Sequence, residues 1–177
     1  LYAQDRVVKT QDWRVLAAYE ARKALKGNPD LPKNIYNLAA ALSDLETDEG
    51  DAEAVKLLEE AHQTQNNFSF QERAGKLRIK HTKRKILQAQ TTLENNPQDA
   101  QLQAQIARAQ KQLGELELAH YQDCVKNYPT DRRFKYELAQ RLAQEKKYDE
   151  AIPLFQEARK DPARKLQSMN HIGLCFF

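Results

Sequence analysis

The sequence predicts an all-α fold, and three observations carry that expectation. The bulk of the chain is Ala, Leu, Gln, Glu, Lys and Arg, the strongest helix formers. Turn and sheet residues are sparse, with 5 Gly, 6 Pro and 8% aromatics in 177 residues, fewer than a sheet-rich domain needs. Helical periodicity runs nearly the whole length and breaks only where Pro, Gly, Asn and Asp cluster. Mean hydropathy of −0.83 and the lack of a long apolar run exclude a membrane-spanning helix. A net charge of +3 names no partner by itself. Cys124 and Cys175 sit inside apolar helical patterns and read as small buried thiols, which fits a reducing compartment, the cytoplasm. No signal peptide is visible, although the chain opens with Leu1 rather than methionine and a targeting segment could have preceded it.

The stops fall at Gly27-Asn28-Pro29-Asp30, Thr47 to Asp51, Asn66-Asn67, Asn95-Asn96-Pro97, Tyr128-Pro129-Thr130-Asp131 and Asp161-Pro162. Pro cannot continue a helix, and Gly or Asn tolerates the left-handed cap. Outside the middle of the chain these stops bound paired pieces of about 12 to 16 residues joined by short turns. Pro29, Pro97, Pro129 and Pro162 recur near multiples of a unit of about 34 residues, the signature of a helix-turn-helix array.

The clearest unit runs from Phe134 to Pro162. Its first helix carries Leu138, Ala139 and Leu142, the turn is Lys146-Lys147-Tyr148, and its second helix carries Ala151, Phe155 and Ala158. Small Ala139 and Ala151 let two helices approach closely, while Leu142 and Phe155 fill the space between layers. Pro153 is expected in the first turn of the second helix, where a missing N–H costs little. This pattern resembles the tetratricopeptide repeat (TPR), and Tyr148-Asp149-Glu150-Ala151-Ile152 matches its most recognisable segment. A second match is Ile35, Leu38, Ala39 and Leu42 followed by Ala54, Leu58 and Ala61, across a longer turn. The N-terminal helix ending Ala21, Ala24, Leu25 and Pro29 is similar to the second half of a unit. Met169, Ile172, Gly173 and Phe176 begin another. That last piece is a first helix with no second, so the sequence predicts an excised part of a longer protein. Phe176 and Phe177 are expected to lie bare and to promote self-association.

The stretch 67–129 fits the repeat badly. No Gly, Pro, Asn or Asp interrupts Lys76 to Glu94, and from Asp99 to Asn127 the only Gly or Pro is Gly114. Two long helices joined by Asn95-Asn96-Pro97-Gln98 are therefore expected, with two ordinary short units as the rival reading. If the helices fold back antiparallel, facing residues share a constant sum of position numbers. Leu93/Leu102, Ala89/Ile106, Ile86/Ala109, Thr82/Leu113 and Ile79/Leu116 do so in alternating steps of four and three, the seam of an antiparallel coiled coil. Leu77/Leu118, Ala74/Tyr121 and Phe70/Val125 keep the same sum beyond a shift in the seam. The fold expected is an all-α, TPR-like helical-repeat superhelix with a projecting coiled-coil hairpin. It is a single array of N-terminal repeats over 1–66, an elongated hairpin repeat over 67–129, and a C-terminal repeat with a truncated successor over 130–177.

No Gly-rich phosphate loop, nucleophile elbow or Cys-x-x-Cys is present, so no catalytic residue, cofactor or metal ligand is assigned and the chain is not expected to be an enzyme. Glu59/His62 and Glu117/His120 each spell Glu-x-x-His, which carboxylate di-metal bundles use twice. The two pairs occupy different places in their units and lack inward Glu partners, so they read as helix surface. A basic patch of Arg73, Lys76, Arg78, Lys80, Lys83, Arg84 and Lys85 crowds the first long helix, and Arg108 and Lys111 follow on the second. Against them, between positions 73 and 112, stand only Glu94 and Asp99. Such an arm could neutralise nucleic-acid phosphates or another anionic surface, or serve as a solvated helix face balancing acidic repeats. It lacks the interleaved aromatics of base-stacking surfaces.

The TPR resemblance implies a concave groove lined by the first helices of successive units, which binds extended peptides or partner helices. The matching positions are Lys33, Tyr36, Asn37 and Ala40 in one unit and Arg133, Tyr136 and Gln140 in another. Tyr36 and Tyr136 suit either peptide recognition or packing between helices. Tyr36/Ala40 and Tyr136/Gln140 replace the Lys and Asn of the family's carboxylate clamp, so that ligand is not implied. Two functions follow: a non-enzymatic scaffold that binds a protein or peptide through groove or hairpin, and electrostatic binding of nucleic acid or an anionic surface by the basic arm.

Overall fold

A computed structural model describes residues 11–176 and is all-α across them. Its helices are α1 (Gln11–Gly27), α2 (Pro32–Ser43), α3 (Asp48–Gln65), α4 (Phe68–Asn95), α5 (Ala100–Asn127), α6 (Arg132–Gln144), α7 (Tyr148–Ala158) and α8 (Lys165–Leu174). Phe177, expected beside Phe176, lies outside the described residues. The chain forms two compact units, the first reaching His81 and the second beginning at Thr82, a border inside α4.

In the first unit α1 packs on α2 and α2 on α3. Its core is Ile35, Leu38, Ala39 and Leu42 from α2, Ala54, Leu58 and Ala61 from α3, and Phe70 and Ala74 from the start of α4. Pro32 opens α2, where its missing N–H is no loss. Thr47 caps α3 by accepting a 3.0 Å hydrogen bond from the Gly50 backbone N–H. Asn66 ends α3 in the left-handed region at φ 48°, a conformation Asn tolerates.

In the second unit α5 packs on α6, α6 on α7 and α7 on α8. Tyr136, Leu138, Ala139, Leu142, Ala151, Phe155 and Ala158 form the core, with Leu118, Tyr121 and Val125 of α5 packed against it. The α2–α3 and α6–α7 turns repeat one device: Glu46 at φ 58° and Lys146 at φ 60° hold equivalent places just past a first helix. Tyr128 stacks on Phe134, ring centroids 5.6 Å apart, and Asp131 caps α6.

The two long helices are uninterrupted at 28 residues each, about 42 Å long, which excludes the two short units of the rival reading. The chain turns at Asn96–Asp99, and Asp99 caps α5 through Leu102 N–H at 2.9 Å. Within the second unit burial follows the expected seam. Ile86 and Ile106 are buried; Thr82, Ala89 and Leu93, and Leu102, Ala109 and Leu113, are half-buried among mostly exposed neighbours. Phe70 and Ala74 belong instead to the first unit's core, with Leu77 packed on it.

One local expectation is corrected. Pro153 is not in the first turn of α7 but inside the helix, where it withholds an N–H from the ladder. The helix tolerates it because Asp149, four residues earlier, and Pro153 are both exposed, so water reaches the orphaned carbonyl.

Gly50 sets how closely α3 begins beside the end of α2. A Cβ there would lie 2.6 Å from the Leu42 carbonyl oxygen and 2.9 Å from Thr47 Oγ1. Gly50→Ala should therefore destabilise the protein by about 1–3 kcal/mol despite alanine's better helix propensity. Urea unfolding followed by circular dichroism measures this, and an unchanged midpoint would contradict the close approach.

Candidate functional site

The aromatic members of the expected groove are absorbed by packing. Tyr36 is half-buried, 4.9 Å from the Phe70 ring, with its hydroxyl bonded to Ser69 Oγ and the Arg73 guanidinium 5.1 Å from its centroid. Tyr136 is only 5% exposed. Gln140 Nε2 donates to its hydroxyl at 3.0 Å and lies 3.2 Å from His171 Nε2, while Arg164 covers its ring at 4.7 Å. Burial raises the Tyr136 pKa. Arg133 is turned back onto Asp131, 2.6 Å away, and this bond holds the Asp131 carboxyl below its ordinary value. Lys33 and Asn37 remain exposed.

A groove does exist in the first unit, between α1 and α2. It encloses about 430 Å³ over a floor of Ala17, Ala21, Ala24, Ala40 and Ala41, with Trp13 and Asn37 at its edges. Among the seven groove positions chosen from sequence, Asn37 and Ala40 line it. Ala17, Ala21 and Ala24 repeat the spacing of Ala151, Phe155 and Ala158, as expected of the second half of a unit. On the same offset Asn37 corresponds to His171. In the second unit α6 fills the corresponding place, packing on α7 and setting Tyr136 and Gln140 against His171 of α8.

The basic patch is largely paired. Arg78 bonds Glu59, Lys76 bonds Glu72 one turn earlier, Lys80 Nζ donates to Ser43 Oγ at 3.0 Å, and Lys83 Nζ lies 2.6 Å from Glu117 Oε1. Arg84 is half-buried and Lys85 exposed. The charge count over positions 73 to 112 missed these acids because Glu72 lies just before that stretch, Glu59 comes from α3, and Glu117 comes from α5 beyond its end.

Glu117 is the hub of the second unit's polar interior. It is 7% exposed and takes Arg141 Nε at 3.1 Å as well as Lys83. Arg141 lies 4.8 Å over the Tyr121 ring and reaches Glu137 at 2.8 Å, and Arg164 reaches Glu137 at 3.5 Å. Burial alone would raise the Glu117 pKa, but the hydrogen bonds from Lys83 and Arg141 outweigh it and hold the carboxyl below its ordinary value.

The members of both Glu-x-x-His pairs are engaged with other groups. Glu59 pairs with Arg78, His62 Nδ1 lies 3.0 Å from the Asn67 carbonyl, and His120 Nε2 lies 3.6 Å from buried Cys124 Sγ. His81 Nδ1 lies 2.8 Å from buried Asp51 and its Nε2 3.7 Å from Asp48. Among the described residues no group of three or more His, Cys, Asp or Glu is placed to hold a metal ion. Cys175 is partly buried, which raises its thiol pKa. No described helix is long and apolar enough to cross a membrane. No protein-family model matches the chain, and no curated protein matches it.

Because Glu117 titrates lower in the folded state, its contribution is complete above the ordinary value of 4.5 and is lost as pH falls through the folded one. Glu117→Gln should cost about 1–3 kcal/mol at pH 7, by leaving two cations short of their counter-charge. The difference from the parent should shrink at pH 3. Urea unfolding at both pH values tests this, and an equal gap at both would refute the charge network.

Proposed function

We propose that the chain is a non-enzymatic scaffold of TPR-like units that holds an amphipathic helix of a partner protein in the α1–α2 groove. One observation carries the reading: the groove has an alanine floor and corresponds in register to the place α6 occupies beside α7 and α8. Small residues let a helix backbone approach closely, and Trp13 at the groove supplies contact area at low entropic cost. Binding of nucleic acid or another polyanion has less support, because Arg78, Lys76 and Lys83 already spend their charge on Glu59, Glu72 and Glu117. The cytoplasm suits Cys124 and Cys175, which are thiols rather than disulfide partners.

Trp13 is the only tryptophan of the chain and lies at the groove, so its fluorescence reports occupancy. A synthetic peptide with the α6 sequence, Arg132–Gln144, should shift that emission saturably. Ala40→Glu, at an exposed residue of the groove floor, should weaken the peptide at least about tenfold. A flat titration, or an unchanged one in the variant, would refute this site.

A further inference from the structure

Two features that lie apart in the sequence, the basic run of α4 and the exposed face of α2, meet inside the first unit. The Arg73 guanidinium lies 5.1 Å from the centroid of the Tyr36 ring, and Lys80 Nζ donates to Ser43 Oγ at 3.0 Å. The two contacts keep one constant offset between the helices, so the start of α4 runs beside α2 in the same direction. Seven residues separate Arg73 from Lys80, which sets them about 10 Å apart along the helix at 1.5 Å per residue. Both are exposed, and Lys33 and Asn37 form an exposed row beside them on α2.

These cations differ from the rest of the basic run. Lys76, between them, is held by Glu72, and Arg78 by Glu59. Among the described residues no carboxylate pairs with Arg73, Lys80 or Lys33. Arg73 and Lys80 are instead held by neutral groups, which fix a charge in place without cancelling it. The Tyr36 ring carries the guanidinium and leaves its N–H edge to other acceptors. Tyr36 is itself fixed by the Phe70 ring 4.9 Å away and by its hydroxyl bond to Ser69. The hydroxyl of buried Ser43 takes one of the three donors of the Lys80 ammonium. A cation that is exposed, charged and already placed is suited to capture an anion, because less freedom is lost on binding.

The surroundings favour a peptide as the carrier of that anion. A nucleic acid gains from rings on which its bases stack, and the Tyr36 ring is already engaged by Phe70 and Arg73. An extended peptide fits the spacing. In the polyproline II conformation, residues three apart point to the same side and stand about 9 Å from each other. We propose that the strip between α2 and α4, with Arg73 and Lys80 as its anchors and Lys33 beside them, binds an extended acidic segment of a partner protein. The segment presents Asp or Glu side chains three residues apart to the two anchors. This inference does not rest on the α1–α2 groove.

The probe is a synthetic peptide of repeated Glu-Pro-Pro, blocked at both ends and labelled with a neutral dye, titrated with the full 177-residue chain. Its fluorescence polarisation should rise saturably at about 50 mM salt, and the affinity should fall several-fold by about 300 mM. Arg73→Gln and Lys80→Gln, both at exposed positions, should each weaken binding at least about threefold, with circular-dichroism melts unchanged. If the Arg73 variant melts lower, Lys80→Gln carries the test. Arg73→Lys should fall between parent and Arg73→Gln, since it keeps the charge and loses the planar fork over Tyr36. Lys126→Gln, exposed on α5, should bind as the parent does. The absence of saturable binding would overturn the proposal. So would equal binding of a Gln-Pro-Pro repeat, or a loss in Lys126→Gln as large as in Arg73→Gln, which would mark unspecific charge attraction. Displacement of the peptide by a single-stranded oligonucleotide at a lower concentration of charge would overturn it in favour of nucleic acid. Lys80→Gln should leave the response of Trp13 to the α6 peptide unchanged, so the two sites are tested separately.

Discussion

Everything in this structure depends on two helices of a unit coming close at alanine and being held apart at leucine or phenylalanine. Ala39 and Ala54 in the first unit, and Ala139 and Ala151 in the second, are at most 1% exposed, as are Leu58 and Phe155. A helix in such an array has one apolar stripe and no other means of removing it from water. The small residue brings the backbones together and the large one fills the resulting layer at interior density. The same constraint reaches into the turns. Gly50 has no room for a side chain because α3 starts against the Leu42 carbonyl. Glu46 and Lys146 accept left-handed backbone so that the chain reverses within a few residues of the crossing.

Polar chemistry is fitted around this apolar frame. The Glu117 cluster shows how a long, strongly basic helix is accommodated: a carboxylate on α5, brought in by burial, meets Lys83 from α4 and Arg141 from α6. An uncompensated charge of either sign at that depth would be expensive, so the three residues form one arrangement rather than three separate contacts. On the first unit's side Glu59 does the same for Arg78. The basic run is therefore a set of bridges between helices as much as a surface.

How much of this is legible in the sequence follows from how far each signal reaches along the chain. Helix class, stops and caps are local, and Pro32, Thr47, Asn66 and Asp99 do what their chemistry dictates. The hairpin seam is non-local, yet the constant sum exposes it because a turn of four residues fixes the register; Ile86 and Ile106 are buried where it requires. Pairing between charges is not legible in this way. Arg78 and Glu59 are brought together by the crossing of α3 and α4, and no spacing along the chain announces it. Tyr36 and Tyr136 show the opposite failure. Each sits on the expected face, but the neighbouring Phe70 or Phe155 draws the ring into aromatic contact and leaves little for a ligand. Pro153 was misplaced because α7 begins at Tyr148, which the sequence reading gave to the turn, so five helical residues already precede the proline.

The exposed apolar side chains are a different kind of evidence from the buried ones. Single exposed leucines are ordinary, whereas contiguous apolar faces on a helical repeat are not. Val15, Leu16 and Tyr19 crowd one side of α1, and Met169 and Phe176 follow the periodic stripe of α8. Covering one such side chain is worth about 1.5–3 kcal/mol, so a few of them together approach the whole net stability of a small domain. Repeat proteins ordinarily close an outer face with polar residues for this reason. A stripe kept apolar in the register that the interior units bury follows the same packing rule as the core.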